Sequence, residues 1–300
     1  MTQQETVKHS QSFFIAEKLR DYKLLIKFNL SFMVVFSAVI AYLLAPKVVV
    51  FDLKAILLFF VGGMLVTGAA NAINQATEKD TDAMMKRTAN RPVASGRMSE
   101  TEAWTFAGIA GIAGVLILWQ FNFLTAALSA FSLFLYAFVY TPLKKISSVA
   151  VLVGAIPGAL PCLIGWAAGN DALTAGGWIL FGIQFFWQFP HFWAIAWISH
   201  KDYSQAGFKL LPSSEGQTKY SAIQAVIYSL LLLPVGVLPY FFNMSGMISL
   251  VIVAIANFFM IMQCVRLYRE MTVKAARRVM FSSYIYLPVV LLALLADKTS

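Results

Sequence analysis

Apolar runs of about twenty residues recur along almost the whole chain, separated by short polar breaks, and each is long enough as a helix to cross the roughly 30 Å hydrocarbon core of a bilayer. The pattern predicts nine membrane-spanning helices, at residues 28–45, 54–76, 103–119, 123–140, 147–168, 175–197, 219–242, 246–267 and 279–296. The expected fold is therefore an all-α polytopic membrane protein. Residues 1–27 form an N-terminal cytoplasmic or interfacial segment, and 28–296 a single transmembrane domain. The stretch from Phe13 to Phe28 mixes Leu, Ile and aromatic residues with Lys and Arg at roughly helical spacing, which suits a helix lying in the membrane interface. The same N-terminal region lacks an apolar signal core and a small-residue cleavage site, so no targeting segment is expected.

Composition agrees with this reading. Of the 300 residues, 59% are apolar and only 12% charged, against about a quarter charged in a soluble domain. Mean hydropathy is +0.72. The net charge of +9 calls for no nucleic-acid partner, because the bases sort by membrane side. With a cytoplasmic N-terminus, 20 of the 23 Lys and Arg residues fall in inside segments, and only Lys47, Lys54 and Lys298 fall outside. That asymmetry is the positive-inside pattern, and it places the C-terminus outside. Cys162 and Cys264 both lie in predicted spans and read as core packing.

The inside segments 77–102 and 198–218 are long and polar, while the outside connections near 120–122, 169–174 and 243–245 are short. Function is therefore expected at the cytoplasmic face. The two long segments follow the second and sixth spans, a spacing that hints at two related four-helix halves plus a ninth helix.

The densest chemistry lies in GAANAINQATEKDTDAMMKRTANRP, residues 68–92. Asn74, Glu78 and Asp82 stand at i, i+4 and i+8, on one face of a continuing helix. Their oxygens suit a hard cation such as Mg²⁺, whose shell substrate phosphate oxygens can complete. Lys86, Arg87 and Arg91 follow and could meet the remaining phosphate charge. From spacing alone, a solvated helix end paired with Lys79, Lys86 and Arg87 fits equally well. A second cluster comprises Tyr140, Lys144 and Lys145, where topology-setting lysines are the plainer reading. A third holds Asp202 and Tyr203, and His191 is the one histidine inside a predicted span, where a hydrogen-bonded core residue is the commoner role.

The string NQATEKDTD followed by MKRTANRP resembles the first signature, N-x-x-x-D/E-x-x-x-D, of the UbiA-type intramembrane prenyltransferases. Within it, Met85, Arg87, Thr88, Arg91 and Pro92, the YTPLKK and GAIPGALP runs, and QFPHFWAIAW with KDYSQAGFKLLP resemble the heme-farnesylating branch. The resemblance covers about residues 24 to 290. It departs from the pattern at Glu78, where much of the family has Asp, at Lys145, where Arg is common, and around Asp202, which stands alone where many relatives carry several carboxylates.

The resemblance implies transfer of a farnesyl group from farnesyl diphosphate to a vinyl group of heme B in a bacterial inner membrane. The reaction would occur in an intramembrane cavity opening to the cytoplasmic side. It implies Mg²⁺ held by Asn74, Glu78, Asp82 and Asp202. Lys86, Arg87, Arg91, Tyr140, Lys144, Lys145 and Tyr203 would then serve the substrates, and His191 the porphyrin. Association with heme A synthase or the terminal oxidase machinery is a further expectation. The alternatives are a quinone-precursor or other aromatic acceptor, a transporter, and an oxidase assembly factor.

Overall fold

A computed structural model describes residues 16–299, so the first fifteen residues, including Phe13 and His9, lie outside the described residues. The chain is helical almost throughout. Helices α1 (Ala16–Leu25) and α2 (Phe28–Leu44) meet at a 54° bend. They are followed by α3 (Leu53–Thr77), α4 (Lys79–Ala83), α5 (Glu100–Trp119) and α6 (Phe123–Phe134). A π-helical segment (Leu135–Tyr140) runs from α6 into the short α7 (Thr141–Leu143). Helices α8 (Ala150–Asn170), α9 (Ala175–Ile198), α10 (His200–Gln205), α11 (Lys219–Phe241), α12 (Met247–Glu270) and α13 (Val273–Ala296) complete the chain.

Polar caps start several of these helices where an apolar run could not. Asp52, Ser99, Asn122, Thr218 and Thr272 each accept a hydrogen bond from the backbone N–H three residues on, satisfying a donor the first turn leaves open.

Among the described residues, seven helices are long and apolar enough to cross a membrane, or eight if the bent α1–α2 pair counts as one span. The expected count of nine also includes α9. The remaining segment, α9, is 24 residues long but carries Gln184, Gln188, Pro190 and His191. Two of these polar groups serve its neighbour. Gln184 Nε2 donates to the Gly158 carbonyl at 2.8 Å, and Gln188 Nε2 to the Ala155 carbonyl at 3.1 Å. Helix α8 contains Pro157 and Pro161; proline withholds the N–H its turn would supply, and in an apolar medium exposed carbonyls need another donor. Ser132 Oγ supplies one to the Pro157 carbonyl at 3.4 Å. The residues that lower the apolarity of α9 are thus bound to the helix it packs on.

Sequence neighbours pack side by side in a closed ring, with α13 returning to α2 and α8 reaching across to α2. The α2–α8 contact is close because Gly165 has no side chain; a Cβ there would overlap the Ala38 carbonyl oxygen. The ring is fastened at the end opposite α4. Lys298 Nζ donates to the carbonyls of Leu43, Ala45 and Val48 at 2.9–3.1 Å, at the end of α2 where carbonyls lack helical partners. Asp297 Oδ2 accepts from Ser249 N at 2.7 Å at the start of α12. Lys298→Ala is expected to lower stability by about 1–2 kcal/mol, read as an earlier thermal unfolding transition of the detergent-solubilised protein, with turnover below that transition retained.

Candidate active site

The end of α3 sets the site. Backbone hydrogen bonds of the helical kind pass through the break at Glu78, with Glu78 N donating to the Asn74 carbonyl at 3.0 Å and Asp82 N to the Glu78 carbonyl at 2.7 Å. That continuity keeps Asn74, Glu78 and Asp82 on one face although α3 ends at Thr77 and α4 begins at Lys79. All three are buried, at 1%, 5% and 1% exposure, so they are not a solvated helix end.

Each meets a different base. Lys27 Nζ donates to Asn74 Oδ1 at 2.8 Å. Lys144 Nζ lies 2.6 Å from Glu78 Oε1. Arg91 Nη1 lies 2.6 Å from Asp82 Oδ2. The amide of Asn74 ties the group together, its Nδ2 donating to Glu78 Oε2 at 2.8 Å and to Thr141 Oγ1 at 3.3 Å. These side chains line a cavity of about 200 Å³.

Local structure brings the bases in. Lys27 has a left-handed backbone, φ 47°, at the bend between α1 and α2, which turns the chain and aims the ammonium into the site. Lys144 follows α7 and stands between the rings of Tyr140 and Phe208, 5.1 and 5.2 Å from their centroids. Tyr140 has room because residue 154 is glycine; a Cβ there would sit 2.5 Å from its ring. Burial pushes the Lys144 ammonium below its ordinary 10.5, and Glu78 restores only part of that loss. Arg87 donates to the Tyr203 hydroxyl at 3.0 Å, joining the loop after α4 to α10.

Of the expected site residues, the cavity wall therefore holds Asn74, Glu78, Asp82, Arg87, Arg91, Tyr140, Lys144 and Tyr203. Four others lie off this wall. Lys86 and Lys145 are exposed and outside the wall. Each lies in a turn just beyond a helix, next to a residue that faces in. Asp202, on α10, also lies next to a residue that faces in, Tyr203, and the described residues contain no group of three or more acidic, histidine or cysteine side chains able to share a metal. His191 packs away from the cavity, its Nδ1 2.7 Å from Ser283 Oγ and its ring stacked on Trp187 at 4.9 Å. Of the Phe and Trp residues between 185 and 193 on α9, only Phe192 reaches the wall. Lys27 and Tyr136 line the cavity without having been expected there. Lys27 had a faint signal, a base at the very start of an apolar run.

The oxygen set of Asn74, Glu78 and Asp82 fits a hard cation. Asp82 Oδ1 is buried and meets no hydrogen-bond donor among the described residues, and a buried carboxylate oxygen without a partner is costly. A cation there would take the carboxylates while phosphate oxygens took the three bases.

A model of the UbiA prenyltransferase family matches residues 34–285. The chain is 44% identical to a protoheme IX farnesyltransferase from Cytophaga hutchinsonii, over 95% of this chain and 99% of that one. Among solved structures, one concerned with digeranylgeranylglyceryl phosphate synthase superposes with a TM-score of 0.78 at 22% identity, covering 94% of this chain and 98% of that one. A UbiA homolog from Archaeoglobus fulgidus bound to GPP and Mg²⁺ superposes with a TM-score of 0.60 at 15% identity, covering 91% and 99%.

Arg91→Ala would leave Asp82 buried without its counter-charge. It is expected to destabilise the protein by about 3–5 kcal/mol, with Asp82→Asn on the same background recovering part of the loss. Denaturant unfolding of the two variants checks this.

Proposed function

Because this chain belongs to the UbiA prenyltransferase family, we propose that it transfers the farnesyl group of farnesyl diphosphate to a vinyl group of heme B. The observation that carries the reading is the pairing of Asn74, Glu78 and Asp82 with three separate bases at the mouth of a buried cavity. Near full-length identity to a protoheme IX farnesyltransferase supplies the acceptor.

Asn74, Glu78 and Asp82 would hold Mg²⁺, which when bound supplies positive charge to the diphosphate oxygens. Lys27, Lys144, Arg91 and Arg87 would meet the phosphate oxygens that remain. As the allylic C–O bond breaks, its electron pair leaves with diphosphate. Bases already fixed around that group stabilise the growing negative charge more than the ground state. The vinyl carbon of the porphyrin attacks the allylic carbon, water adds to the resulting cation, and one proton is lost, leaving a hydroxyethylfarnesyl substituent. The aromatic and apolar wall keeps water from the first cation. With α9 counted as a ninth span, the sorting of 20 of the 23 bases to one side supports an N-terminus and a site that face the cytoplasm. Hand-over of the product to heme A synthase or a terminal oxidase is the partner this implies.

Purified protein incubated with heme B, farnesyl diphosphate and Mg²⁺ is expected to yield a farnesylated porphyrin by mass analysis. Prenylation of a quinone precursor in place of heme would overturn the acceptor. Asp82→Asn is expected to lower turnover by about 100-fold or more at ordinary Mg²⁺ in a protein that still inserts; near-normal turnover would remove Asp82 from the metal. The lowered Lys144 value also predicts an alkaline limit. Loss of the ammonium proton removes a charge from the leaving-group site, so kcat/KM falls as pH rises through a value below 10.5. Lys144→Arg moves that limb upward, because a guanidinium stays charged.

A further inference from the structure

We infer that Tyr136 is a catalytic residue whose ring faces the ionising allylic carbon. The inference rests on the prenyl-transfer reading above and adds to it a residue that the sequence pattern did not mark.

Two cavities lie end to end inside the ring. The polar one holds the acidic triad and its bases. The other, about 110 Å³, is walled by apolar side chains including Val34, Phe59, Leu118 and Ile164. Only Leu30 and Tyr136 line both. An allylic diphosphate has a polyanionic head and an apolar tail, joined at the carbon whose bond to oxygen breaks. With the head among the bases and the tail in the apolar cavity, that carbon lies between Leu30 and Tyr136. Leu30 offers a cation only dispersion, whereas the negative face of an aromatic ring attracts it, and more strongly where water is excluded.

Tyr140 is the competing aromatic, one turn on, with its ring 5.4 Å from that of Tyr136. Its ring already carries the Lys144 ammonium at 5.1 Å, and it lines the polar cavity without reaching the apolar one.

The backbone at Tyr136 is held in register with the metal-binding face. It lies in the π-helical segment, where Thr141 N donates to the Tyr136 carbonyl five residues back. Thr141 Oγ1 donates to the same carbonyl at 2.9 Å and accepts from Asn74 Nδ2 at 3.3 Å. One hydroxyl therefore links the ring's backbone to the first ligand of the triad. Single π turns of this kind recur at functional sites. In the step itself, the C–O bond breaks, the electron pair goes to diphosphate, and the ring stabilises the allylic cation while keeping its phenolic proton.

The test is single-turnover farnesyl transfer to heme B by the full-length protein with Tyr136 replaced by Phe, by Leu, and by phenylalanines carrying one, two and three ring fluorines. Tyr136→Leu is expected to lower the rate constant about 30-fold, Tyr136→Phe to lose much less, and the fluorinated series to fall stepwise as the ring's negative face is depleted. Binding of the unreactive farnesyl thiolodiphosphate should stay unchanged throughout. A flat fluorine series in an active protein overturns the role of Tyr136 and leaves prenyl transfer standing. Loss confined to thiolodiphosphate binding reassigns Tyr136 to packing. Failure of the parent protein to prenylate heme overturns both. The fluorinated rings match phenylalanine closely in shape, so the series reads chemistry even if Tyr136→Leu does not fold.

Discussion

Polar and charged groups buried beside a membrane must be matched within reach, and the architecture of this chain follows from meeting that requirement at one amide and two carboxylates set a helical turn apart. Asn74, Glu78 and Asp82 leave α3 on one face, and bringing a base to each takes three separate pieces of chain. The bend between α1 and α2 delivers Lys27, the turn after α7 delivers Lys144, and the loop after α4 delivers Arg91. Truncating one partner of such a pair leaves the other charge stranded in a medium of low dielectric. The ring of helices therefore serves to hold these backbones at fixed separations. The same pairing suits the proposed reaction, since bases gathered by carboxylates are already in place for phosphate once a cation claims the carboxylates.

Much of this was legible from residue order because two of the signals are strictly periodic. Runs of twenty apolar residues can only be satisfied as helices in lipid, so spans expected at 54–76 and 219–242 appear as Leu53–Thr77 and Lys219–Phe241. The acidic triad was legible because the i, i+4, i+8 spacing survives the break at Glu78. Direction within a polar pair was not. Lys86 against Arg87, Lys144 against Lys145 and Asp202 against Tyr203 differ by one residue, which in α10 is about 100° around the helix axis and in the two turns is set by the local backbone. Sequence alone does not say which member faces inward. Lys27 was hidden for another reason, as one of twenty inside bases whose shared purpose is topology. Its positive φ, which sets it apart, is a property of the folded chain.

Polar residues within the spans proved a poor guide to chemistry. His191 with Ser283, Gln184 with Gly158 and Gln188 with Ala155 all join helices. In lipid an unpaired polar group costs several kcal/mol, so these intramembrane polar side chains are spent on each other or on backbone carbonyls of a neighbouring helix. What marks the acidic triad as different is an excess: Asp82 Oδ1 is a buried carboxylate oxygen without a donor, and the amide oxygens of Asn71 and Gln75 on the same helix also lack one.

That excess lies at a helix end for a physical reason. Charges at the bilayer centre are far costlier than charges near its edge, so a site for a polyanion belongs where α3 leaves the apolar layer, and the apolar remainder of the substrate must then extend back between the helices. The bond that breaks falls at the border of the two environments. There the protein has to favour negative charge on one side and positive charge a bond length away on the other. Fixed cations would serve the first and oppose the second. An aromatic face can stand at that border because it attracts a cation without carrying a net charge, and its burial needs no counter-ion. The π turn at Leu135–Tyr140, which shifts the register of α6 as it reaches the acidic face, is the local distortion that sets Tyr136 there.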